Sequence, residues 1–232
     1  MIFTPGKPRV VGAVSDAATW LSLSSDEPPC DIVELRVDAL PEAEWRLPLR
    51  SACPKPLLLT LRHASEGGAC VWDEGVRLRL AAELLPAAAL LDWEIAHLPG
   101  ADELVRAAKA RGVAVVASAH YFHSAPPLAE MRELEARARD AGADVVKIAF
   151  TPQNESDMQS GLEFLSTCSL PAALMGMGAV YGPASRRLYT AHGSVLLYGY
   201  LGAAPTAPGQ LTAAACREMV CQVRGANAEG QS

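Results

Sequence analysis

Short apolar runs and amphipathic stretches alternate along this chain. The apolar runs are "PRVVGAV" at 8–14, "DIVELRVD" at 31–38, "PLLLTLR" at 56–62, "AALLDWEI" at 88–95, "VAVVASAHY" at 113–121, "ADVVKIAF" at 143–150, "PAALMGMG" at 171–178 and "VLLYGYL" at 195–201. Each has the length and the Val, Ile and Leu content of a strand. The spacing between them predicts helices: a weak one near 16–25, then 41–52, 72–85, 100–112, 127–142, 154–167, 184–193 and a last one near 209–224. "PLAEMRELEARARDAG" is the clearest amphipathic segment, and residues 226–232 read as a disordered tail. Regular strand-then-helix units imply a parallel sheet with right-handed crossovers. Eight such units in 232 residues fit a closed (β/α)8 TIM barrel, a single domain over 1–225. The alternative is a doubly wound open sheet. Its G-x-G-x-x-G fingerprint is missing after the first run, where "GAVSDA" holds one glycine.

A barrel of this kind builds its site at the C-terminal ends of the strands, and polar residues gather at those ends here. In "DIVELRVD", Val33, Leu35 and Val37 share one face while Glu34, Arg36 and Asp38 share the other. Arg62 ends the third run, Glu94 lies near the end of the fourth, and His120 lies at the end of the fifth. Lys147 sits late in the sixth, on the face of Val145 and Ala149 and opposite Val146, Ile148 and Phe150. Taken singly, such residues have structural readings; Glu34 and Arg36 could form a buried ion pair. Taken together they point to a site, because a packed barrel interior prefers Val, Ile and Leu.

Composition narrows the field. Half the residues are hydrophobic, enough for a large core, and the net charge is −6 with no basic block, which argues against nucleic-acid binding. The six cysteines include no C-x-x-C pair, so they read as reduced, mostly buried thiols of a cytoplasmic protein. The N-terminal residues do not have the pattern of a signal peptide. Leu188 to Cys216 holds no charged residue, but glycines and prolines interrupt it. It reads as a helix end, a buried strand and a loop, not as a membrane span.

Desolvation lowers the pKa of a lysine, and a neutral amine attacks ketones and aldehydes to give a Schiff base. Lys147 is therefore either an imine-forming nucleophile or half of a buried ion pair. His120 lies 27 residues earlier, at the end of the preceding strand, with the pKa range for general acid–base work. Metal binding by His120 with His123 is disfavoured, since i and i+3 on a strand face opposite ways. His63, His97 and His192 show no obvious partners and read as loop or helix residues.

From "ELRVD" at 34–38 to "APGQ" at 207–210 the chain resembles the type I 3-dehydroquinate dehydratases. "TLRHASEGG" at 60–68 is similar to that family's Arg-x-x-x-Glu-Gly-Gly segment, "SAHYFHSAP" at 118–126 to its histidine motif and "DVVKIAF" at 144–150 to its lysine motif. "SRRLYTAHGS" at 185–194 resembles its Ser-Arg-Leu…Phe-Gly-Ser segment, and "TAPGQ" at 206–210 its lid. The resemblance implies conversion of 3-dehydroquinate to 3-dehydroshikimate without a cofactor or metal. Lys147 would form the imine, His120 would move the protons, and Glu66 would orient and tune His120. Arg186 would clamp the substrate carboxylate, with Glu34, Arg36, Arg62, Thr206 and Gln210 binding its polar groups. Phe122, Met177 and Tyr198 would wall the pocket. A homodimer is implied as well.

The chain departs from the family pattern at several points. His192 stands where Phe is usual, Thr206 where Ser is frequent, and Arg187 follows Arg186 where Leu is usual. The segment before the first strand is short. Rival readings are a class I aldolase or transaldolase using Lys147, with "GMGAVYG" at 176–182 offering N–H groups to a phosphate; a barrel that binds a ligand without turnover; and a metal-dependent barrel enzyme.

Overall fold

The computed structural model describes residues 3–4, 6–23, 27–41, 53–207 and 209–229. Eight parallel strands form a barrel: β1 Arg9–Val14, β2 Ile32–Arg36, β3 Leu57–Thr60, β4 Leu90–Glu94, β5 Ala114–Tyr121, β6 Val145–Phe150, β7 Ala172–Gly176 and β8 Leu196–Tyr200. Every strand falls inside its expected run. The helices are α1 Ala17–Ser22, α2 Glu74–Leu84, α3 Asp102–Ala110, α4 Leu128–Asp140, α5 Glu155–Thr167, α6 Gly182–Ala191 and α7 Ala213–Glu229. The helix expected over 41–52 falls almost wholly on residues 42–52, outside the described residues.

Local chemistry sets the helix ends. Asp73 caps α2 by accepting from the Val76 N–H at 3.2 Å, and Asn154 caps α5 by accepting from Asp157 at 3.0 Å. Helix α6 starts two residues earlier than its expected span, at Gly182, because Pro183 suits a first helical turn. Helix α7 differs most. It starts at Ala213, where the Thr212 hydroxyl accepts from the Ala215 N–H at 3.1 Å, and it runs to Glu229. Residues 226–229 therefore continue a helix where a tail was expected, since Ala226, Ala228 and Glu229 are good helix formers. Residues 230–232 lie outside the described residues.

Neighbouring strands pair in parallel from β1 through β7, and β8 pairs with β1, Arg9 opposite Leu196. Between β7 and β8 the wall closes through the Val195 N–H on the Ala172 carbonyl at 2.9 Å and through Ser194, whose Oγ accepts from the Leu174 N–H at 3.0 Å. Alternation along each strand divides the apolar residues in two. Val11, Ile32, Leu58, Leu90, Val116, Val145 and Leu196 fill the barrel, while Val33, Leu59, Leu91, Val146 and Ile148 meet the helices. Phe3 is buried within the inner cluster at the floor, where one aromatic ring covers the N-terminal end of the barrel. Among the described residues no helix is long and apolar enough to cross a membrane.

Candidate active site

At the C-terminal end of the strands the inward positions change character. Leu58 is followed on its face by Thr60 and Arg62, Leu90 by Asp92 and Glu94, Val116 by Ser118 and His120, and Val145 by Lys147. A fully buried Val or Leu stabilises by about 1.5–3 kcal/mol, so each polar substitute forgoes that amount and needs a partner. Lys147, 3% exposed, has one: its Nζ is 2.9 Å from Asp92 Oδ2. The other oxygen of Asp92 accepts from Arg62 Nη2 at 2.7 Å and from the Ser118 hydroxyl at 2.6 Å. Arg62 Nη1 also reaches Glu94 at 2.8 Å. From outside the barrel, the fully buried Arg77 of α2 meets Glu94 at 2.5 Å and stacks 3.9 Å from the centroid of Trp93. Burial alone would raise both carboxyl pKa values. The charges of Arg62 and Lys147 outweigh it at Asp92, and those of Arg62 and Arg77 at Glu94, so both are held below the usual range.

The histidine has a different setting. His120 Nδ1 is 2.8 Å from Glu66 Oε2, supplied by the 3₁₀ turn after β3. Burial first, then the charges of Arg62 and Lys147, hold His120 well below the usual histidine pKa. Burial also pushes Glu66 up to about 7, against the pull of Arg62. Both shifts disfavour the charged forms: the imidazolium of His120 and the carboxylate of Glu66.

Lys147, Arg62, His120 and Glu66 line one open cleft, together with Glu34, Arg36, Phe122, Met177, Arg186, Tyr198, Thr206 and Gln210. All twelve expected site residues thus come together. Glu34 accepts from the Thr60 hydroxyl at 2.9 Å. Arg36 forks onto Asp38 at 2.9 and 2.6 Å, so its partner is Asp38, not Glu34. Arg186 reaches the cleft from α6; its Nη1 donates to the Tyr198 carbonyl at 2.9 Å, and its Nε is buried without a partner. Arg187 points to the outer surface, where it donates to Gln222 at 2.6 Å. Tyr198 places its ring 4.2 Å from Lys147 Nζ. In the loop after β8, Gln210 Oε1 accepts from the Thr206 N–H at 2.7 Å and hydroxyl at 2.8 Å, so Gln210 braces that loop and does not open the last helix.

Sequence reasoning missed Asp92, Ser118 and Arg77. For the first two a signal existed: Asp92 shares the inward face with Glu94, and Ser118 with His120. Arg77 gave none, because its helix pattern does not say that it reaches through to Glu94. His63 and His97, expected to lack partners, meet each other with ring centroids 4.0 Å apart and planes tilted by 36°.

Fold and site define a class: a single-domain (β/α)8 barrel whose mouth joins a buried lysine, a histidine–carboxylate pair and an arginine with no carboxylate partner among the described residues. Within that class the chain belongs to the type I 3-dehydroquinase family, whose model matches residues 21–226. A 3-dehydroquinate dehydratase of Methanothrix thermoacetophila is 32% identical over 205 residues, 88% of this chain and 87% of that protein. One from Neisseria gonorrhoeae is 31% identical over 236 residues, covering 95% and 92%. The crystal structure of a type I 3-dehydroquinate dehydratase from Clostridium difficile, with covalently modified comenic acid, superposes with a TM-score of 0.84 at 26% identity, covering 97% of this chain and 95% of that one.

Proposed function

We propose that this protein dehydrates 3-dehydroquinate to 3-dehydroshikimate through an imine on Lys147, with His120 as the general acid–base. The observation that carries the reading is the placement of buried Lys147 and the His120–Glu66 pair on one cleft. The amine must first lose its proton. Asp92 is a poor acceptor, because its carboxylate form is strongly favoured. His120 is a better one: part of what keeps it neutral is the charge of Lys147 itself, and that charge leaves with the proton. Attack of Nζ on the C3 ketone expels water and leaves a protonated imine, which draws electrons from C2. His120 takes the C2 proton and returns one to the departing C1 hydroxyl. Water then hydrolyses the imine and frees the enone, so one water is lost overall and no electrons are exchanged.

Arg186 takes the substrate carboxylate. It is a planar fork whose Nε is buried and unpaired, and a carboxylate would satisfy it. The loop 201–210 closes over the bound substrate, with Thr206 and Gln210 exchanging their mutual bond for contacts to it, and excludes water from the imine. Chemistry of this type needs no metal or cofactor, so chelator should leave turnover intact. The same reading carries a cytoplasmic homodimer.

Borohydride added during turnover tests the proposal. It should inactivate the protein and leave an adduct that peptide mass spectrometry places on Lys147. Undiminished turnover with no adduct, or an adduct on Lys55 or Lys109, would exclude the imine at Lys147.

A further inference from the structure

Outside the cleft, at the same end of the barrel, three more titratable side chains meet. His63 follows β3, Glu74 lies in the first turn of α2, and His97 ends the 3₁₀ turn after β4. None of them lines the cleft. One ligand atom from each lies within 4.8 Å of the others, and His97 Nδ1 is 3.7 Å from Glu74 Oε1. We propose that His63, Glu74 and His97 bind a divalent transition-metal ion of the Zn²⁺ type, outside the catalytic machinery.

The donor set is two imidazoles and a carboxylate, which suits Zn²⁺, Ni²⁺ or Cu²⁺ better than Mg²⁺ or Ca²⁺. Zinc bonds of about 2.0–2.1 Å hold tetrahedral ligand atoms roughly 3.3 Å apart. The His97–Glu74 pair nearly meets that spacing at 3.7 Å, and a ligand atom of half-buried His63 lies within 4.8 Å of both. Each ligand needs the right form and an orienting partner. His97 turns Nδ1 toward the Glu74 carboxylate, 3.7 Å from Oε1, so that nitrogen faces the shared space. His63 Nδ1 is 2.7 Å from Ser65 Oγ; in the tautomer that donates there, Nε2 is free to ligate. An ion selects that tautomer over the one accepting the Ser65 N–H at 3.2 Å. Arg77 grips both oxygens of Glu74 at 2.9 Å, which fixes the carboxylate and leaves a lone pair on Oε1. The charge of Arg77 is answered from its other side by Glu94. A bound ion would clip the segments after β3 and β4 together beside Glu94, which accepts the His63 backbone N–H at 2.9 Å.

Calorimetric titration of chelator-stripped protein with Zn²⁺ tests the site. One ion per chain should bind. His63→Ala and His97→Ala should each weaken binding about tenfold or more, while exposed His192→Ala should not. Turnover retained by the His97 variant shows that it folds; should it fail to fold, the His63 variant carries the test. His120→Ala and the Cys70→Ser/Cys221→Ser double variant guard against binding in the cleft or by thiols. The proposal is overturned if the wild type takes up no Zn²⁺. It is equally overturned if affinity falls with His120 or the cysteines but survives loss of His63 and His97.

Discussion

Lys147 and Arg62 share one carboxylate, and that sharing governs the chemistry at the residue scale. Asp92 holds the amine at 2.9 Å and the guanidinium at 2.7 Å, all three buried. Removing one partner of a buried ion pair costs about 3–5 kcal/mol, because the remaining charge is left without an answer. Asp92→Asn should therefore lower unfolding stability by about that amount and slow borohydride trapping at Lys147. Stability and trapping both unchanged would mean that Ser118 and Glu94 hold Arg62 and Lys147 without it. The histidine pair makes a prediction about pH. His120 is held below its ordinary value of 6.5, so it remains the free base as pH falls past that point. The acid limb of kcat/KM should lie below pH 6.5, with an NMR titration of the His120 ring to match; a ring midpoint at or above 6.5 contradicts this. Glu66 shifts the other way, from 4.5 to about 7. Between those values the folded state binds more protons than the unfolded state, so stability falls as pH rises. Denaturant melts across that window should show wild type losing stability relative to Glu66→Gln, and a constant difference would put the carboxyl pKa back in its usual range.

At the scale of elements, the arginine that faces the cleft depends on how closely α6 rides on β7. A methyl group added to Gly176, the last residue of β7, would lie 2.0 Å from Ser185 Oγ and 2.9 Å from its Cβ. Ser185 precedes Arg186 and anchors its helix turn by donating to the Gly182 carbonyl at 2.8 Å. Gly176→Ala should push α6 outward, carry Arg186 off the carboxylate position and raise KM more than it lowers kcat, the sign of lost uniform binding. A fall in stability of about 1–3 kcal/mol should accompany it. A variant with wild-type KM would show that the carboxylate is held elsewhere. Only the element contact explains why Arg186 and not Arg187 serves the cleft: neighbours on a helix face about 100° apart, and the packing of α6 chooses which one looks in.

For the whole molecule, the β7–β8 seam closes through the Val195 N–H on Ala172 and through the Ser194 hydroxyl. Ser194→Ala leaves the buried Leu174 N–H without its 3.0 Å acceptor, and an unmet buried donor costs about 1–3 kcal/mol. Chemical denaturation should show a loss in that range, with KM little changed because the seam bond lies away from the cleft; a silent variant would show that the seam is held by the Val195 bond alone. The sequence by itself determined the alternation of eight strands with helices and which side chains of each strand look inward, Lys147 and His120 among them. That much is local, since a period of two assigns a face whatever the neighbouring strand; Glu66, in a turn, and Arg186, on a helix, stood out only through the resemblance to a known family. Tertiary structure alone decided who partners whom. Asp92 meets Lys147 only because β4 and β6 both flank β5 and point into the same barrel. Arg77 arrives from a helix, Phe3 seals the floor, and His63, Glu74 and His97 converge from three separate segments. These are contacts between residues far apart in the chain, and no local period encodes them.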